Sequence, residues 1–324
     1  MRIPTLVLIA AAPLVAAAAG HIVVANSADA TVSIYEPFVI TNGDPGLKLL
    51  KVVPVGKTPN EVCISPDGKR AFVSNRGETT VSVLDLAALS VASTLSDPEM
   101  KNPDGCLLNR DGSRLYVAAA ANESVFVFST ADGRKLARIK TGGEPRRLLL
   151  SEDERRLYVA NGDERYVSVI DLADNHETAR IRAGRDPRSM VWTAGGKYLA
   201  VSNVSDDTIE FVAPGETTPE YVVGVPRSPQ RLLVYQPKEI LFIIGRYDNV
   251  LAMADLRQTK KFGRFLSATV PLGRAPWGLA ISPAGDCLYV TNTADNTLTI
   301  VDLRLMRAGP SIPTGKSPLG VAAR

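Results

Sequence analysis

Histidine is scarce in this chain of 324 residues, which has only His21 and His176. A Ser–His–Asp triad needs a histidine base beside its nucleophile, and histidine-rich zinc or copper sites need several such ligands. No glycine-rich phosphate loop follows the strand-then-helix pattern that such a loop requires. The sequence therefore predicts no metal site, no cofactor and no residue that can be assigned to catalysis.

Cysteine is equally sparse, with Cys63, Cys106 and Cys287. An odd number cannot all pair within one chain, and there is no Cys-x-x-Cys motif and no Cys-x-x-Cys-His site for covalent haem. We interpret the three as small apolar residues within strands. A protein exported from the cytoplasm has conditions that permit one disulfide bridge.

The first twenty residues differ from the rest. Arg2 precedes an apolar run that ends in small residues, with Ala-x-Ala sites just before Gly20. This pattern predicts a signal peptide over residues 1–20 and a periplasmic or secreted protein, with no stable membrane insertion after cleavage. An uncleaved membrane anchor is the alternative. Residues 21–324 contain no linker or low-complexity tract, so we expect them to form a single domain.

That domain is built from repeats. The stretch YVAN at Tyr158–Asn161 returns as FVSN at Phe72–Asn75 and as YVTN at Tyr289–Asn292. Looser copies are VVAN at Val23–Asn26, YVAA at Tyr116–Ala119, AVSN at Ala200–Asn203 and FIIG at Phe242–Gly245. Each copy reads as a short strand rich in residues that favour β-structure.

A second marker is a proline that usually follows Gly-x-x. The marker prolines are Pro59, Pro103, Pro145, Pro187, Pro229, Pro276 and Pro318. Each of the first six lies 16 positions before the last residue of the next YVTN-like motif, and successive prolines are 44, 42, 42, 42, 47 and 42 residues apart. A period in the low forties with four short strands per unit is typical of a propeller blade.

The two ends of the chain complete one blade. Only residues 319–324 follow the last marker proline, enough for one strand, whereas the chain after residue 20 begins directly with a strand of the YVTN type. The sequence therefore predicts an all-β fold, a seven-bladed β-propeller of four-stranded blades. Blade 1 would combine residues 21–56 with residues 319–324, so that the C-terminal strand closes the ring of a monomer.

The repeated YVTN motif, the SPDG turn at Ser65–Gly68 and the Gly-x-x-Pro spacer resemble those of the YVTN-repeat β-propellers, including the YncE-like group. The chain is also similar to seven-bladed propellers of the quinoprotein amine dehydrogenase β-chain type. This resemblance covers essentially all of residues 21–324 and implies the fold. It implies little about chemistry, because propellers have many functions.

In a propeller, the start of each innermost strand lies at the mouth of the central channel, a concave surface of the kind that commonly binds ligands. The residues directly after the marker prolines are Asn60, Asp104, Arg146, Arg188, Gln230, Trp277 and Leu319. Arg147 and Arg231 follow one position later, and Arg76 and Arg246 follow second strands on the same face. Trp277 and Tyr247 offer stacking surfaces.

Arginine forks bind carboxylates and phosphates, so this set predicts an anionic ligand. The predicted ligand-binding residues are Arg146, Arg188, Gln230, Trp277, Arg231, Arg76, Arg246, Asn60 and Asp104. A wider basic ring lies two residues before the marker prolines, at Lys57, Lys101, Arg185, Arg227, Arg274 and Lys316, with Gly143 in the seventh place. Such a face attracts acidic partners. The alternative is that these charges are a habit of the repeat and form a solvated rim of mixed charge.

Three functions agree with this pattern. The first is an exported, non-catalytic binding or scaffold propeller whose partner is an anionic small molecule, an envelope polymer or an acidic protein. Nucleic acid ranks below these because aromatic residues make up only 6% of the chain. The second is a lactonase- or lyase-like enzyme using Asp104 or Glu61, which would need a raised carboxylate pKa. The third is the non-cofactor subunit of a periplasmic redox complex, which would expose a large apolar patch.

Overall fold

The computed structural model describes residues 20–39, 43–258 and 265–324. These residues form seven four-stranded antiparallel sheets arranged as the blades of a propeller. The predicted all-β, seven-bladed fold is therefore confirmed. The predicted signal peptide lies outside the described residues, apart from Gly20.

The strands are numbered in chain order. They are β1 (Ile22–Asn26), β2 (Thr31–Val39), β3 (Pro45–Pro54), β4 (Pro59–Ile64), β5 (Arg70–Asn75), β6 (Thr80–Asp85), β7 (Ser90–Ser96), β8 (Pro103–Leu108), β9 (Arg114–Ala119), β10 (Ser124–Ser129), β11 (Lys135–Lys140), β12 (Pro145–Leu150), β13 (Arg156–Asn161), β14 (Tyr166–Asp171), β15 (His176–Arg182), β16 (Pro187–Trp192), β17 (Leu199–Asn203), β18 (Thr208–Val212), β19 (Tyr221–Gly224), β20 (Pro229–Tyr235), β21 (Ile240–Gly245), β22 (Val250–Asp255), β23 (Ala268–Pro271), β24 (Pro276–Ile281), β25 (Cys287–Asn292), β26 (Thr297–Asp302), β27 (Arg307–Pro313) and β28 (Pro318–Ala323). Within the described residues, short 3-10 helices lie at Ala120–Asn122, Ala194–Gly196, Gln236–Lys238 and Leu256–Gln258.

Blade 1 has the strand order β28-β1-β2-β3, and blades 2 to 7 each use four consecutive strands, beginning at β4. The C-terminal strand β28 is therefore the innermost strand of the N-terminal blade. The backbone of His21 donates a hydrogen bond to the Arg324 carbonyl at 2.7 Å and accepts one from the Arg324 amide at 3.1 Å. These bonds hold the two ends of the described chain together and close the ring as predicted.

The constant offset of 16 residues is explained by strand register. Each marker proline begins an innermost strand and lies opposite the last residue of the second strand, as in the pairs Pro145–Asn161 and Pro276–Asn292. Pro318 pairs in the same way with Asn26, although the two are at opposite ends of the chain. The two sequence markers are thus the two partners of one cross-strand pair.

Seven clusters of buried apolar side chains hold the ring together, one between each pair of neighbouring blades. For example, Tyr158 and Val167 of blade 4 pack with Leu199 and Val201 of blade 5. Each blade therefore buries its apolar faces against its neighbours. The three cysteines are free, with Cys106 and Cys287 buried in strands and Cys63 half-buried, in agreement with their interpretation as small apolar residues.

The asparagine that ends the YVTN motif recurs in five of the repeats, where it links two strands of the blade by hydrogen bonds. Asn26, Asn75, Asn161, Asn203 and Asn292 are all fully buried. Their Nδ2 groups donate to hydroxyl groups on the third strand of the blade, and Asn292 donates to Thr297 at 3.0 Å and Thr299 at 2.7 Å. The motif thus satisfies buried polar groups that would otherwise destabilise the blade.

Replacing Asn292 with alanine is expected to lower the free energy of unfolding by about 1–3 kcal/mol, because the buried hydroxyl of Thr299 and the half-buried hydroxyl of Thr297 lose their donor. Chemical denaturation of wild type and variant measures this change. Asn292→Asp, which keeps the shape but not the donor, should destabilise at least as strongly. Equal stability of all three proteins would show that the hydrogen bonds of Asn292 do not stabilise the blade.

Candidate anion-binding site

The backbone adopts the same unusual conformation just before each marker proline, where the chain enters the channel mouth. The residue before each of the seven prolines has a positive φ of 52–57°, as at Glu144 and Asp186. This left-handed conformation, uncommon for residues other than glycine, turns the chain into the innermost strand. The residue after the proline is then skipped by the strand pairing, as at Arg146, where the register shifts between Pro145 and Arg147. This bulge explains why seven equivalent side chains can gather at the mouth.

The mouth residues of blades 2, 3 and 4 form a connected series of hydrogen bonds and salt bridges. Asn60 Nδ2 donates to Asp104 Oδ1 at 2.8 Å, and Arg146 Nη1 donates to Asp104 Oδ2 at 3.0 Å. Arg146 also forms a salt bridge with Glu144, and Arg76 lies 3.7 Å from Asp104 and 3.8 Å from Glu144. Burial disfavours charge on Arg146, but Asp104 and Glu144 more than compensate and raise its pKa. The structure thus joins four of the predicted residues in one network.

The next part of the mouth contains Arg188 and Gln230. Arg188 Nη2 binds both carboxylate oxygens of Asp186, at 3.1 and 3.0 Å, and Nη1 lies 3.4 Å from Gln230 Oε1. Gln230 Nε2 in turn donates to Ser228 Oγ at 2.9 Å. Burial lowers the pKa of Arg188, with repulsion from Arg146 acting in the same direction. Arg188 is therefore ion-paired like Arg146 and lies near enough for the two charges to repel each other.

Arg246 is the mouth arginine that has no salt bridge to any described residue. Its guanidinium carbon lies 4.9 Å from the ring centre of Trp277 and 5.9 Å from that of Tyr247. Trp277 also lies 5.6 Å from the guanidinium carbon of Arg188. The Nε atoms of Arg146, Arg188 and Arg246 are buried and have no hydrogen-bond partner among the described residues. Donor capacity therefore remains at this part of the mouth.

A second charged layer lies one residue further along the innermost strands. Glu61 of blade 2 accepts hydrogen bonds on both carboxylate oxygens, at 3.0 Å each, from Nη2 of Arg231 in blade 6. Arg147 of blade 4 also pairs with Glu61. We name Glu61, Arg147 and Arg231 the channel triad. Because it joins blades 2, 4 and 6, it spans the channel.

The convergence of the channel triad was not predicted, although the sequence places Arg147 and Arg231 at equivalent positions of their blades. The sequence does contain a sign of it, because long and small side chains alternate from blade to blade at the second position after the marker proline. The seven residues, in order of the marker prolines, are Glu61, Gly105, Arg147, Ser189, Arg231, Gly278 and Gly320. Each long side chain is followed in the next blade by glycine or serine, which leaves room for it. A Cβ atom on Gly105 would collide with the Arg146 carbonyl, so that position tolerates no side chain.

The carboxylates at the mouth are engaged in ion pairs. Burial acts to raise the pKa of Glu61, but Arg147 and Arg231 outweigh it and hold that pKa below its usual value. Burial, followed by repulsion from Asp163, raises the pKa of Glu144 despite the opposing effect of Arg146. Glu61 is thus a structural anion, which disfavours it as a proton acceptor in an enzyme.

Three of the six basic residues in the outer ring form salt bridges with aspartates in neighbouring loops. The side chains of Arg185, Arg227 and Arg274 bind Asp206, Asp248 and Asp295, respectively, at 2.5–2.7 Å. Each aspartate also accepts a hydrogen bond from the backbone amide of its arginine. These three arginines therefore hold neighbouring loops of one blade together.

A separate cleft of about 890 Å³ opens at the opposite end of blades 4 and 5. Tyr158 and Trp192 contribute to its wall, with their rings 5.2 Å apart and nearly perpendicular. None of the predicted ligand-binding residues lines it.

Within the described ranges, no helix is long and apolar enough to cross a membrane. The same residues contain no cluster of three or more histidine, cysteine or acidic side chains suited to holding a metal ion.

Comparisons with known proteins agree with this architecture. A family model described as the YncE-like beta-propeller matches residues 3–323. Among solved structures, hydrazine synthase from Kuenenia stuttgartiensis superposes with a TM-score of 0.70 at 20% identity, covering 82% of this chain and 89% of that one. A functionally unknown protein from Desulfotomaculum acetoxidans superposes with a TM-score of 0.78 at 12% identity, covering 94% and 98%. No curated protein sequence matches the chain. At these identities, the structural likenesses show the fold alone.

Proposed function

The chain belongs to the YncE-like beta-propeller family, and from this architecture we propose that it is a monomeric, exported binding propeller whose channel mouth engages an anionic ligand. The observation that carries this proposal is Arg246. It is held against Trp277 at 4.9 Å, and no described carboxylate neutralises it. A guanidinium in this position offers a forked donor to a carboxylate.

The neighbouring groups favour a carboxylate ligand over a nucleic acid. Arg188 lies beside Trp277 and completes a pair of cations over one ring. Tyr247, which is 64% exposed, borders the same side of the mouth. Nucleic-acid binding needs several stacking platforms in a row, whereas two aromatic rings beside two arginines suit one small dicarboxylate or one acidic side chain of a partner.

Catalysis is less well supported. Glu61 and Asp104 are the carboxylates that an enzyme would need, and both are paired with arginine. The redox-subunit alternative needs a large apolar patch. The exposed large apolar side chains include Leu49 and Val52 on β3 and Val91 on β7, and others are scattered over the surface. Single exposed apolar residues of this kind are normal for monomeric proteins.

Trp277 provides a direct test. The chain has two tryptophans, and Trp192 lies at the far end of β16, so Trp192→Phe leaves Trp277 as the only tryptophan reporter. We expect succinate to change its emission with saturation, and added salt to weaken the effect. Heparin and single-stranded DNA serve as polymer probes. A stronger, saturable response to either polymer would identify a polymer ligand. No response to any of the three anions would contradict the proposal.

The export prediction needs its own test. Cell fractionation and sequencing of the N-terminus of the mature protein are expected to place it outside the cytoplasm and to find cleavage near Gly20. A cytoplasmic, full-length product would contradict it.

A further inference from the structure

The channel triad carries an uncompensated positive charge. Two guanidinium groups, Arg147 and Arg231, share the single carboxylate of Glu61. The side chains are only 17%, 11% and 6% exposed for Arg147, Arg231 and Glu61. An unpaired charge that is largely removed from water is costly, so such a cluster attracts a counter-ion.

Among the described residues, the carboxylates near the channel triad are engaged by other arginines. Asp104 and Glu144 at the mouth are paired with Arg146, and Asp186 is paired with Arg188. The nearby Cys106 is a neutral thiol, because burial raises its pKa well above the ordinary value. The net charge of the channel triad therefore remains +1.

Arg231 shows the effect of this imbalance. Its Nε atom is buried and has no hydrogen-bond partner among the described residues. Burial, followed by repulsion from Arg147, lowers its pKa to about 10 in spite of the contact with Glu61. A buried donor that makes no bond to Glu61 and a cation that is incompletely neutralised together define one side of an anion site.

We propose that the channel binds a small monovalent anion, of the halide class, beside Arg147 and the unpartnered Nε of Arg231. The anion completes the channel triad as a counter-ion to the second arginine. The low exposure of both arginines limits the occupant to a small ion, unlike the ligand proposed for the mouth. This inference does not depend on the mouth ligand.

Bromide tests the proposal through the unfolding temperature, because a ligand that binds only the folded protein stabilises it. Bromide replaces fluoride at constant ionic strength, since fluoride is too strongly hydrated to enter a buried site readily. For a chain of this size, the unfolding temperature should rise by about 2 °C for each tenfold increase of bromide above half-saturation. Anomalous diffraction from bromide-soaked crystals should locate the ion beside Arg147 and Arg231.

Two variants change the charge in opposite directions. Arg231→Gln makes the cluster neutral and is expected to abolish the bromide effect. Glu61→Gln raises the charge to +2 and should strengthen the effect, so that stabilisation begins at lower bromide concentrations. A purely structural role for these residues would not produce changes of opposite sign.

Arg274→Gln is the matched control, because it removes one arginine of the outer ring that is already paired with Asp295. It should respond to bromide like the wild type. Equal bromide responses in wild type, Arg231→Gln and Glu61→Gln, or bromide found only on the outer surface, would overturn the proposal. Either result would leave the mouth ligand unaffected, since that is tested at Arg246.

Discussion

Replacing Glu61 with alanine is expected to lower the free energy of unfolding by about 3–5 kcal/mol, because two largely buried guanidinium groups lose the carboxylate that they share. Glu61 is buried and pairs with arginines from two other blades. The loss would therefore weaken contacts across the whole ring. Urea denaturation of wild type and variant measures the change.

The control for this prediction is Asp295→Ala, which breaks an ion pair with an exposed arginine. We expect a loss of no more than about 1 kcal/mol there. The pKa of Glu61 is lowered in the folded state, so its contribution is complete above the ordinary glutamate pKa of about 4.3. It is lost as the pH falls from that value through the lowered pKa of the folded state. The difference between wild type and Glu61→Ala should therefore shrink in acid, and a difference that is small at pH 7 would contradict the structural role.

Removal of β28 is expected to abolish cooperative folding. A chain that ends at Ser317 loses the innermost strand of blade 1, which pairs with β1 and contacts the inner strands of blades 2 and 7. The ring would open, and β1 would become an unpaired edge strand whose core residues, such as Ile22 and Val24, are exposed. Thermal unfolding followed by circular dichroism should show no sharp transition.

A chain that ends at Ala323 is the matched control. It loses the Arg324 carbonyl that accepts from His21 and the side-chain bond from Arg324 to the Pro66 carbonyl, but it keeps all of β28. We expect a sharp transition at a modestly lower temperature. If the chain ending at Ser317 also unfolded cooperatively near the wild-type temperature, closure by the C-terminal strand would not be needed for stability.

The fold could be predicted from the sequence because the positions of the repeated motifs give the register of two strands in every blade. The pairing of each marker proline with the end of the YVTN motif fixes two strands of every blade, and it does so even for Pro318 and Asn26. Propeller blades also pack almost entirely against their neighbours, so a regular period determines the global arrangement. The details of the outer strands, such as the extent of β3, depend on loops that the repeat does not constrain.

The site could be predicted only in part. The sequence placed Arg146, Arg188 and Arg246 on one face because each has a fixed position relative to a marker proline. It could not show which of them are neutralised, since Asp186 and Glu144 reach their arginines through side-chain conformations that no periodicity encodes. For the same reason, the contact of Glu61 with Arg231, 170 residues apart, became visible only in three dimensions.

Calorimetric titration of wild type and Arg246→Gln shows whether the channel mouth binds an anion through the arginine that has no salt bridge to a described residue. With succinate as the probe, Arg246→Gln is expected to bind about 10- to 100-fold more weakly than wild type, the loss of a charge-assisted hydrogen bond. Arg274→Gln, which removes the same charge from a paired position, should bind like wild type. Equal weakening in both variants would mean that only the net charge matters, and unchanged binding in Arg246→Gln would show that the mouth is not the site.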